Sequence, residues 1–177
     1  MNNKVIKTGA LAILLIVPVF VFLFLKFFGE NHFDLPYYFP ELNEKGEVVV
    51  NGKDTVFHQI PTYVLENQNG DSVGSEQLKE KIAVVDFFFT RCGTICPKMT
   101  TQLTRVQKMV KSNEEVKLQS ISIDPKHDSA SILKIYAEKY DAIEGKWDFL
   151  TGDKKTIHDL AIKGFKLPVA DASEYDS

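Results

Sequence analysis

The chain has few of the residues that usually build metal sites and disulfide frameworks. Its 177 residues include only two cysteines and four histidines. No second cysteine pair is present to complete a structural zinc site, which needs four ligands. The chain also lacks a surplus of positive charge, because 21 basic residues are outnumbered by 24 acidic ones. Without a basic stripe to neutralise phosphates, nucleic-acid binding is excluded as its function.

What the sequence does contain is a long apolar run close to its N-terminus. Residues 10–25 read ALAILLIVPVFVFLFL, and Lys26 is the single charge within residues 9–28. A helix over that segment would be about 30 Å long, which matches the hydrocarbon core of a bilayer. We therefore predict an uncleaved transmembrane helix over residues 9–28. A cleaved signal peptide is the alternative, but the residues after the run lack the small-x-small cleavage pattern.

The charges before the apolar run predict its orientation in the membrane. Lys4 and Lys7 precede the run, so the positive-inside rule places residues 1–8 in the cytoplasm. The rest of the chain would then lie on the outer, periplasmic face of a bacterial-type inner (plasma) membrane, held there by a single span. Thiols on that side of the membrane can be oxidised.

The remainder of the chain divides into a spacer and a domain. Residues 29–55 are predicted to form a spacer with the start of a β-hairpin, because Asn51-Gly52 favours a tight turn between short apolar runs. A second turn is predicted at Asn69-Gly70. Residues 56–177 alternate strand and helix patterns, which indicates an α/β fold with a largely parallel sheet.

The elements of this domain follow from its hydrophobic periodicity. The apolar run from Ile82 to Phe89 is typical of a central strand buried on both faces. Helices are predicted from Pro97 to about Val110 and from Ser129 to Tyr140, with the strand VKLQSISI between them. The second helix would bury Ile132, Ile135, Tyr136 and Tyr140. A strand WDFL and a last helix ending near Gly164, its predicted C-cap, complete the pattern.

The two cysteines lie where the first of these strands meets its helix. The segment reads DFFFTRCGTICPKMTTQL, with Cys92 in the loop and Cys96 directly before Pro97. Because proline suits the first helical position, Cys96 is predicted to be the N-cap residue of the helix. If the loop winds as one turn, the two Cα atoms are about 6 Å apart, close enough for both sulfurs to face one point.

The position of the pair favours ionised sulfur. A helix N-terminus carries partial positive charge, and Arg91 and Lys98 act in the same direction, so thiolates are favoured over thiols. Such a pair can form a structural disulfide, exchange electrons with another disulfide, or hold a soft metal ion such as Cu(I). The residues leave these possibilities open, although the strand, the helix and Pro97 together favour a functional pair.

Three segments of the chain resemble the SCO family, also called SCO1/SenC. They are VVDFFFTRCGTICPKMTTQL, ISIDPKHDS and WDFLTGDKKTI, and they occur in the order found in that family. The resemblance covers residues from about His58 to Phe165 and implies a thioredoxin-like fold behind a single N-terminal span. Members of the family are membrane-anchored proteins that help assemble the copper centres of cytochrome c oxidase. On this resemblance Cys92 and Cys96 would be two copper ligands.

The resemblance also predicts a third copper ligand that the sequence lacks. In the SCO family this ligand is a histidine after the helix that ends here near Gly164, whereas no histidine follows His158. We therefore expect the ligand beyond Ser177, in a thioredoxin-like domain that is truncated at its C-terminus. His127 is a less favoured substitute. Asp124 is predicted either to orient groups around the site or to form an Asp-Pro turn.

Two functions from different classes follow from these features. The first is a copper metallochaperone, which binds Cu(I) or Cu(II) and delivers it to the copper-centre subunit of a membrane cytochrome c oxidase. The second is a membrane-anchored thiol–disulfide oxidoreductase, in which Cys92 and Cys96 form the catalytic redox pair. A thiol reductant or another copper carrier is an expected further partner. The chaperone is favoured because the loop between the cysteines is longer than the C-x-x-C loop of thioredoxin-like enzymes.

Overall fold

The computed structural model describes residues 3–28, 36–43 and 45–168, and the chain divides into two units after His58. In the first unit, helix α1 spans Asn3–Phe28 and contains Pro18. Its side chains from Ile13 to Phe27 are exposed. Within the part of the chain that the structure describes, no helix is long and apolar enough to cross a membrane. The transmembrane anchor is therefore not shown and stays a prediction.

The first unit also contains the predicted hairpin. Strands β1, Val50–Asn51, and β2, Asp54–Thr55, pair in antiparallel register. Gly52 and Lys53 form the turn, and Gly52 has a φ of +67°. Glycine adopts this left-handed conformation without a steric penalty, which is why it occupies the first central position of the turn. The hairpin is confirmed, with its turn one residue later than Asn51-Gly52 would place it.

The second unit, Gln59–Ser177, is built on a mixed sheet of five strands. These are β3 (Val64–Asn67), β4 (Ser72–Gly74), β5 (Ile82–Phe88), β6 (Val116–Ser122) and β7 (Trp147–Thr151). They lie in the order β4-β3-β7-β6-β5, with β5, β6 and β7 parallel and β3 antiparallel to both of its neighbours. The largely parallel α/β core is confirmed, and so is the turn at Asn69-Gly70, which joins β3 to β4.

Helices follow the parallel strands as expected for an α/β fold. They are α2 (Ile95–Met109), α3 (Ala130–Lys139) and α4 (Lys154–Asp159), the last continuing as a π-helical turn over Leu160–Gly164. A 3₁₀ turn, Ser75–Leu78, lies between β4 and β5. The last helix ends at Gly164 as predicted, but Gly164 is not a left-handed cap, because the positive φ falls at Lys166.

The hydrophobic core lies on both faces of the sheet. One cluster joins Phe88, Leu118, Trp147 and Phe149 of the strands to α2 and α3, and includes Cys96, Leu133, Tyr136 and Ala137. The other cluster, on the opposite face, contains Tyr63, Leu65, Ile121, Leu150, Ile157 and Leu160. Successive side chains of a strand point to opposite faces, which is why the neighbours Phe149 and Leu150 belong to different clusters.

Two predictions about burial were wrong. Strand β5 is an edge strand among the described strands, paired only with β6, and its Ile82 is 57% exposed. An apolar run shows that a strand is covered, but a run of this length does not distinguish a central strand from an edge strand. In α3 the buried residues are Leu133, Tyr136 and Ala137, whereas Ile132 and Ile135 are exposed. The predicted burial of Tyr136 is confirmed and Tyr140 packs against the core, so the prediction was wrong only for Ile132 and Ile135.

Candidate dithiol metal centre

Cys92 and Cys96 both lie at the carboxyl end of β5, around the start of α2. The helix begins at Ile95 with Thr94 as its N-cap, so Cys96 lies in the first turn and is not the predicted N-cap residue. Pro97 consequently occupies the third helical position. Proline is tolerated there because the first backbone N–H groups of a helix have no acceptor within the helix.

The sulfur of Cys92 accepts a free N–H group of this helix. The Thr94 side chain makes no capping hydrogen bond. Instead, the backbone N–H of Cys96 donates to Cys92 Sγ at 3.4 Å, and the backbone of Thr94 and Ile95 also acts to lower the pKa of Cys92. Cys92 Sγ therefore lies where a capping oxygen would lie, close to the partial positive charge of the helix N-terminus.

The two thiols are not joined by a disulfide, and their pKa values move in opposite directions. Burial acts to raise the pKa of Cys92, but hydrogen bonds from the Cys96 thiol and from the backbone outweigh it and lower the pKa to about 7. Burial raises the pKa of Cys96 to about 11, and the hydrogen bond to Cys92 acts in the same direction. At pH 7 about half of Cys92 is thus thiolate, and this thiolate accepts a hydrogen bond from the thiol of Cys96.

A buried carboxyl group, Asp86, lies on the face of β5 that also carries Phe88. No role was predicted for it from the sequence. Its Oδ1 accepts a hydrogen bond of 2.5 Å from Ser120 Oγ, which in turn accepts one of 2.9 Å from Trp147 Nε1. Its Oδ2 is buried and has no hydrogen-bond partner among the described residues. Burial raises the pKa of Asp86 to about 6, and its charge acts to raise the pKa of Cys96. The sequence feature that could have indicated this buried carboxyl group is the single charged residue in the apolar strand IAVVDFF.

Asp124 connects the dithiol loop to the loop that follows β6. Its carboxylate accepts a hydrogen bond of 2.9 Å from Arg91 Nη2 and lies 2.9 Å from His127 Nδ1. Burial acts to raise the pKa of Asp124, but these two partners outweigh it and lower the pKa. The Asp124 carbonyl also accepts the N–H groups of His127 and Asp128, which closes the turn. The contacts are compatible with both roles predicted for Asp124.

The two thiol sulfurs are soft donors that the structure offers to a metal ion. Within the described residues, no group of three or more His, Cys, Asp or Glu side chains is arranged to hold a metal. His127, the less favoured substitute ligand, pairs with Asp124 and is not part of such a group. The histidine expected beyond Ser177 lies outside the chain and stays a prediction.

Comparison with known proteins identifies the family. The SCO1/SenC family model matches residues 52–177. The chain belongs to the SCO1/SenC family. It is 40% identical over 119 residues to the SCO1 protein homolog of Bacillus subtilis, a match that covers 66% of this chain and 62% of that protein. The chain thus spans less than two thirds of that relative's length.

Solved structures of Sco proteins have the same mixed α/β fold. BsSco, a member of the Sco family of cytochrome c oxidase assembly proteins for which a disulfide switch is described, superposes with a TM-score of 0.60 at 38% identity. That match covers 68% of this chain and 71% of BsSco. Bradyrhizobium japonicum ScoI with copper bound superposes with a TM-score of 0.54 at 26% identity, over 64% of this chain and 74% of ScoI. The predicted family and its thioredoxin-like α/β fold are confirmed.

Proposed function

We propose that the chain binds copper through Cys92 and Cys96 and acts as a metallochaperone in the assembly of a cytochrome c oxidase copper centre. The observation that carries the proposal is the reduced dithiol at the start of α2, where the Cys92 sulfur accepts the backbone N–H of Cys96. Thiolate ligands select soft ions such as Cu(I). Membership of the SCO1/SenC family and the copper-bound structure of ScoI support the same reading.

The pair is built to receive copper with little rearrangement of Cys92. About half of its sulfur is already thiolate at pH 7, because its pKa is lowered to about 7. The Cys96 thiol, whose pKa is raised to about 11, must also lose its proton when it becomes a ligand, so copper binding at pH 7 releases about 1.5 protons per ion. The predicted histidine beyond Ser177 would be the third ligand. Delivery would follow by exchange between these thiolates and the soft ligands of the oxidase subunit.

The N-terminal helix supports a site of action at a membrane. The side chains of α1 from Ile13 to Phe27 are exposed, and Lys26 carries the one charge among them. Burying these side chains in a bilayer removes them from water. We propose that α1 anchors the domain to the outer face of the bacterial inner membrane, near the oxidase subunit that receives the copper. Flotation of the full chain with phospholipid vesicles, and its loss when residues 3–28 are deleted, tests this attachment.

A copper titration of the reduced full chain in detergent micelles tests the metallochaperone proposal. Against a Cu(I)-selective chelator we expect one copper per chain, with the affinity reduced at least about 100-fold in Cys92→Ser and in Cys96→Ser, because each variant removes one of two thiolate ligands. Met109→Leu is the matched control, since it removes an exposed sulfur outside the site and should bind as the wild type does. A folded wild-type chain that does not retain Cu(I) would contradict the proposal.

The unequal thiols also favour a second candidate, a thiol–disulfide oxidoreductase. The Cys92 thiolate would attack a partner's disulfide, forming a mixed disulfide and releasing one partner thiolate. Cys96, once deprotonated, would then attack Cys92 Sγ, which releases the second partner thiolate and leaves a Cys92–Cys96 disulfide. Two electrons pass to the partner, and an external dithiol restores the pair.

Turnover of a disulfide peptide with dithiothreitol as reductant tests this second function. We expect turnover to be lost in Cys92→Ser, and a mixed disulfide to accumulate in Cys96→Ser when the reduced chain is mixed with the peptide without dithiothreitol, because the second attack is missing. Copper binding without turnover would leave the metallochaperone as the function, and turnover without copper binding would favour the oxidoreductase.

A further inference from the structure

A second buried carboxylate, Asp128, holds the loop that carries Cys92. Asp128 is 0% exposed. Its Oδ2 accepts hydrogen bonds from the backbone N–H of Thr90 at 3.0 Å and from Ser122 Oγ at 2.5 Å. Its Oδ1 accepts a further hydrogen bond from Thr90 Oγ1. The carboxylate therefore ties the end of β5 to the end of β6 with three hydrogen bonds.

The segment that Asp128 holds contacts both cysteines. Thr90 lies two residues before Cys92 and directly after Phe89. The carbonyl of Phe89 accepts the backbone N–H of Cys92 at 3.2 Å, and the backbone of Phe89 hydrogen-bonds to the Cys96 sulfur. A shift of Thr90 would consequently move the backbone groups that position both sulfur atoms.

The placement of Asp128 is informative because a buried carboxylate is unfavourable unless its hydrogen bonds compensate for lost hydration. Two of its three hydrogen bonds go to Thr90, one to the backbone and one to the side chain. Ser122, which makes the third, also accepts the backbone N–H of Asp124 through its Oγ at 3.1 Å. Asp128 is thus anchored in the loop after β6 and directed at the dithiol loop.

We propose that Asp128 is a positioning residue of the dithiol site, which clamps Thr90 and so maintains the arrangement of Cys92 and Cys96. This inference deepens the proposed function and rests on the dithiol being the copper site. Groups that orient metal ligands typically change metal affinity by about 10–100-fold when they are removed. Ligands that are already in place also need no further ordering when the ion binds.

A pair of substitutions at Thr90 tests the clamp. Thr90→Val removes the hydroxyl but keeps the shape and the backbone N–H, whereas Thr90→Ser keeps the hydroxyl. In the full reduced chain in detergent micelles, titrated with Cu(I) against a chelator, we expect Thr90→Val to bind about tenfold more weakly. Thr90→Ser should remain within about twofold of the wild type.

Thr156→Val is the matched control for the loss of a threonine hydroxyl bound to an aspartate. Thr156 Oγ1 donates to Asp153 Oδ2 at 2.9 Å at the start of α4. Among the described contacts, none joins Thr156 to either cysteine. Because Thr156 and Asp153 are exposed, we expect this variant to lose less stability than Thr90→Val and to keep its copper affinity, so it controls for loss of the hydroxyl itself.

A second readout does not depend on copper. Equilibration of each variant with reduced and oxidised glutathione measures how readily Cys92 and Cys96 form a disulfide with each other. Holding two groups in place raises their effective concentration, so loosening the loop should lower the equilibrium constant for the disulfide at least about threefold in Thr90→Val. Thr90→Ser should restore it. If Thr90→Val does not fold, as judged by circular dichroism, Asp128→Asn takes its place in both measurements.

The two readouts separate failure of the clamp from failure of the proposed function. If the wild type holds no Cu(I), the copper function fails, and the glutathione equilibrium alone decides on the clamp. Thr90→Val values that equal those of the wild type would overturn the positioning role of Asp128. Equal losses in Thr90→Val and Thr90→Ser would overturn it as well, because the hydroxyl that binds Asp128 would then not be responsible.

Discussion

The two cysteines have the same side chain, lie four residues apart, and have opposite surroundings. Cys92 is half-buried in the loop, and its sulfur accepts a free N–H group of α2. Cys96 is 5% exposed in the first turn of the helix and packs in the hydrophobic cluster that contains Phe88. Because the residue type is the same, burial of Cys96 and the hydrogen bonds to the Cys92 sulfur decide which sulfur is ionised at neutral pH.

This difference assigns the two sulfurs different roles. A half-exposed thiolate can meet an incoming metal ion or a partner's disulfide, whereas a buried thiol completes the reaction from within the protein. Asp86 strengthens the difference, because its charge acts to raise the pKa of Cys96 and is not among the causes that act on Cys92. Under the proposed function we therefore expect an ordered reaction in which Cys92 acts first.

Alkylation of the reduced, metal-free chain should show the largest difference between the two sulfurs. At pH 7 about half of Cys92 is thiolate, against roughly one part in 10⁴ of Cys96, for pKa values of about 7 and 11. The lower intrinsic nucleophilicity of the less basic thiolate offsets about 50-fold of that difference. We expect iodoacetamide to modify Cys92 about 100-fold faster than Cys96, as measured by mass spectrometry of peptides. Equal rates would contradict the assignment of roles.

Removing the charge of Asp86 should have the next largest effect, which is an increase in the free energy of unfolding. Because burial raises its pKa from 3.8 to about 6, the folded chain binds the proton more tightly than the unfolded chain does. The ionised carboxylate therefore lowers the free energy of unfolding as pH rises from about 4 to about 7, by ~2 kcal/mol. We expect Asp86→Asn to be more stable than the wild type by that amount at pH 8.

The gain in Asp86→Asn should disappear near pH 3.5, where the wild-type carboxyl is neutral as well. Urea titration followed by the fluorescence of Trp147, the single tryptophan, measures both values. Asp148→Asn is a suitable control, because burial also raises the pKa of that carboxyl while no described contact joins it to the cysteines. A stability gain for Asp86→Asn that is the same at both pH values would contradict the role of its charge.

Exchanging one cysteine for alanine should give the smallest effect, which is a change in the pKa of the cysteine that remains. In Cys96→Ala the Cys92 thiolate loses the hydrogen bond donated by the Cys96 thiol, so its pKa should rise above 7. In Cys92→Ala the pKa of Cys96 should fall below 11, since both the hydrogen bond and the charge of Cys92 raise it. A hydrogen bond to a charged group contributes ~1.5 kcal/mol, which corresponds to about tenfold in each ionisation constant.

The pH dependence of alkylation in the two single-cysteine variants measures these shifts. Thr101→Ala is the control, because its hydroxyl donates only to the Pro97 carbonyl among the described contacts and should leave both pKa values unchanged. Shifts in the same direction in the two cysteine variants would show that the sulfurs do not interact as donor and acceptor.

Much of the fold was predictable from local patterns, because they depend on neighbours in sequence. Strand β6, helices α2 and α3, and the turn at Asn69-Gly70 follow from periodicity and turn residues, and the structure confirms them. Sheet order was not predictable in this way. The edge position of β5 and the exposure of Ile132 depend on which elements pack against them, and a single periodic pattern does not report that.

The sequence by itself determined that two thiols would stand between a strand and a helix N-terminus, because an apolar run, C-x-x-x-C and proline follow one another in the chain. It also identified the family through three ordered segments. Only the tertiary structure decided which thiol is ionised, since this depends on the N-cap at Thr94 and on burial of Cys96. The contacts of Asp86, Asp124 and Asp128 likewise join strands and loops 33 to 38 residues apart along the chain. Such contacts arise when the sheet assembles and leave no local pattern in the sequence.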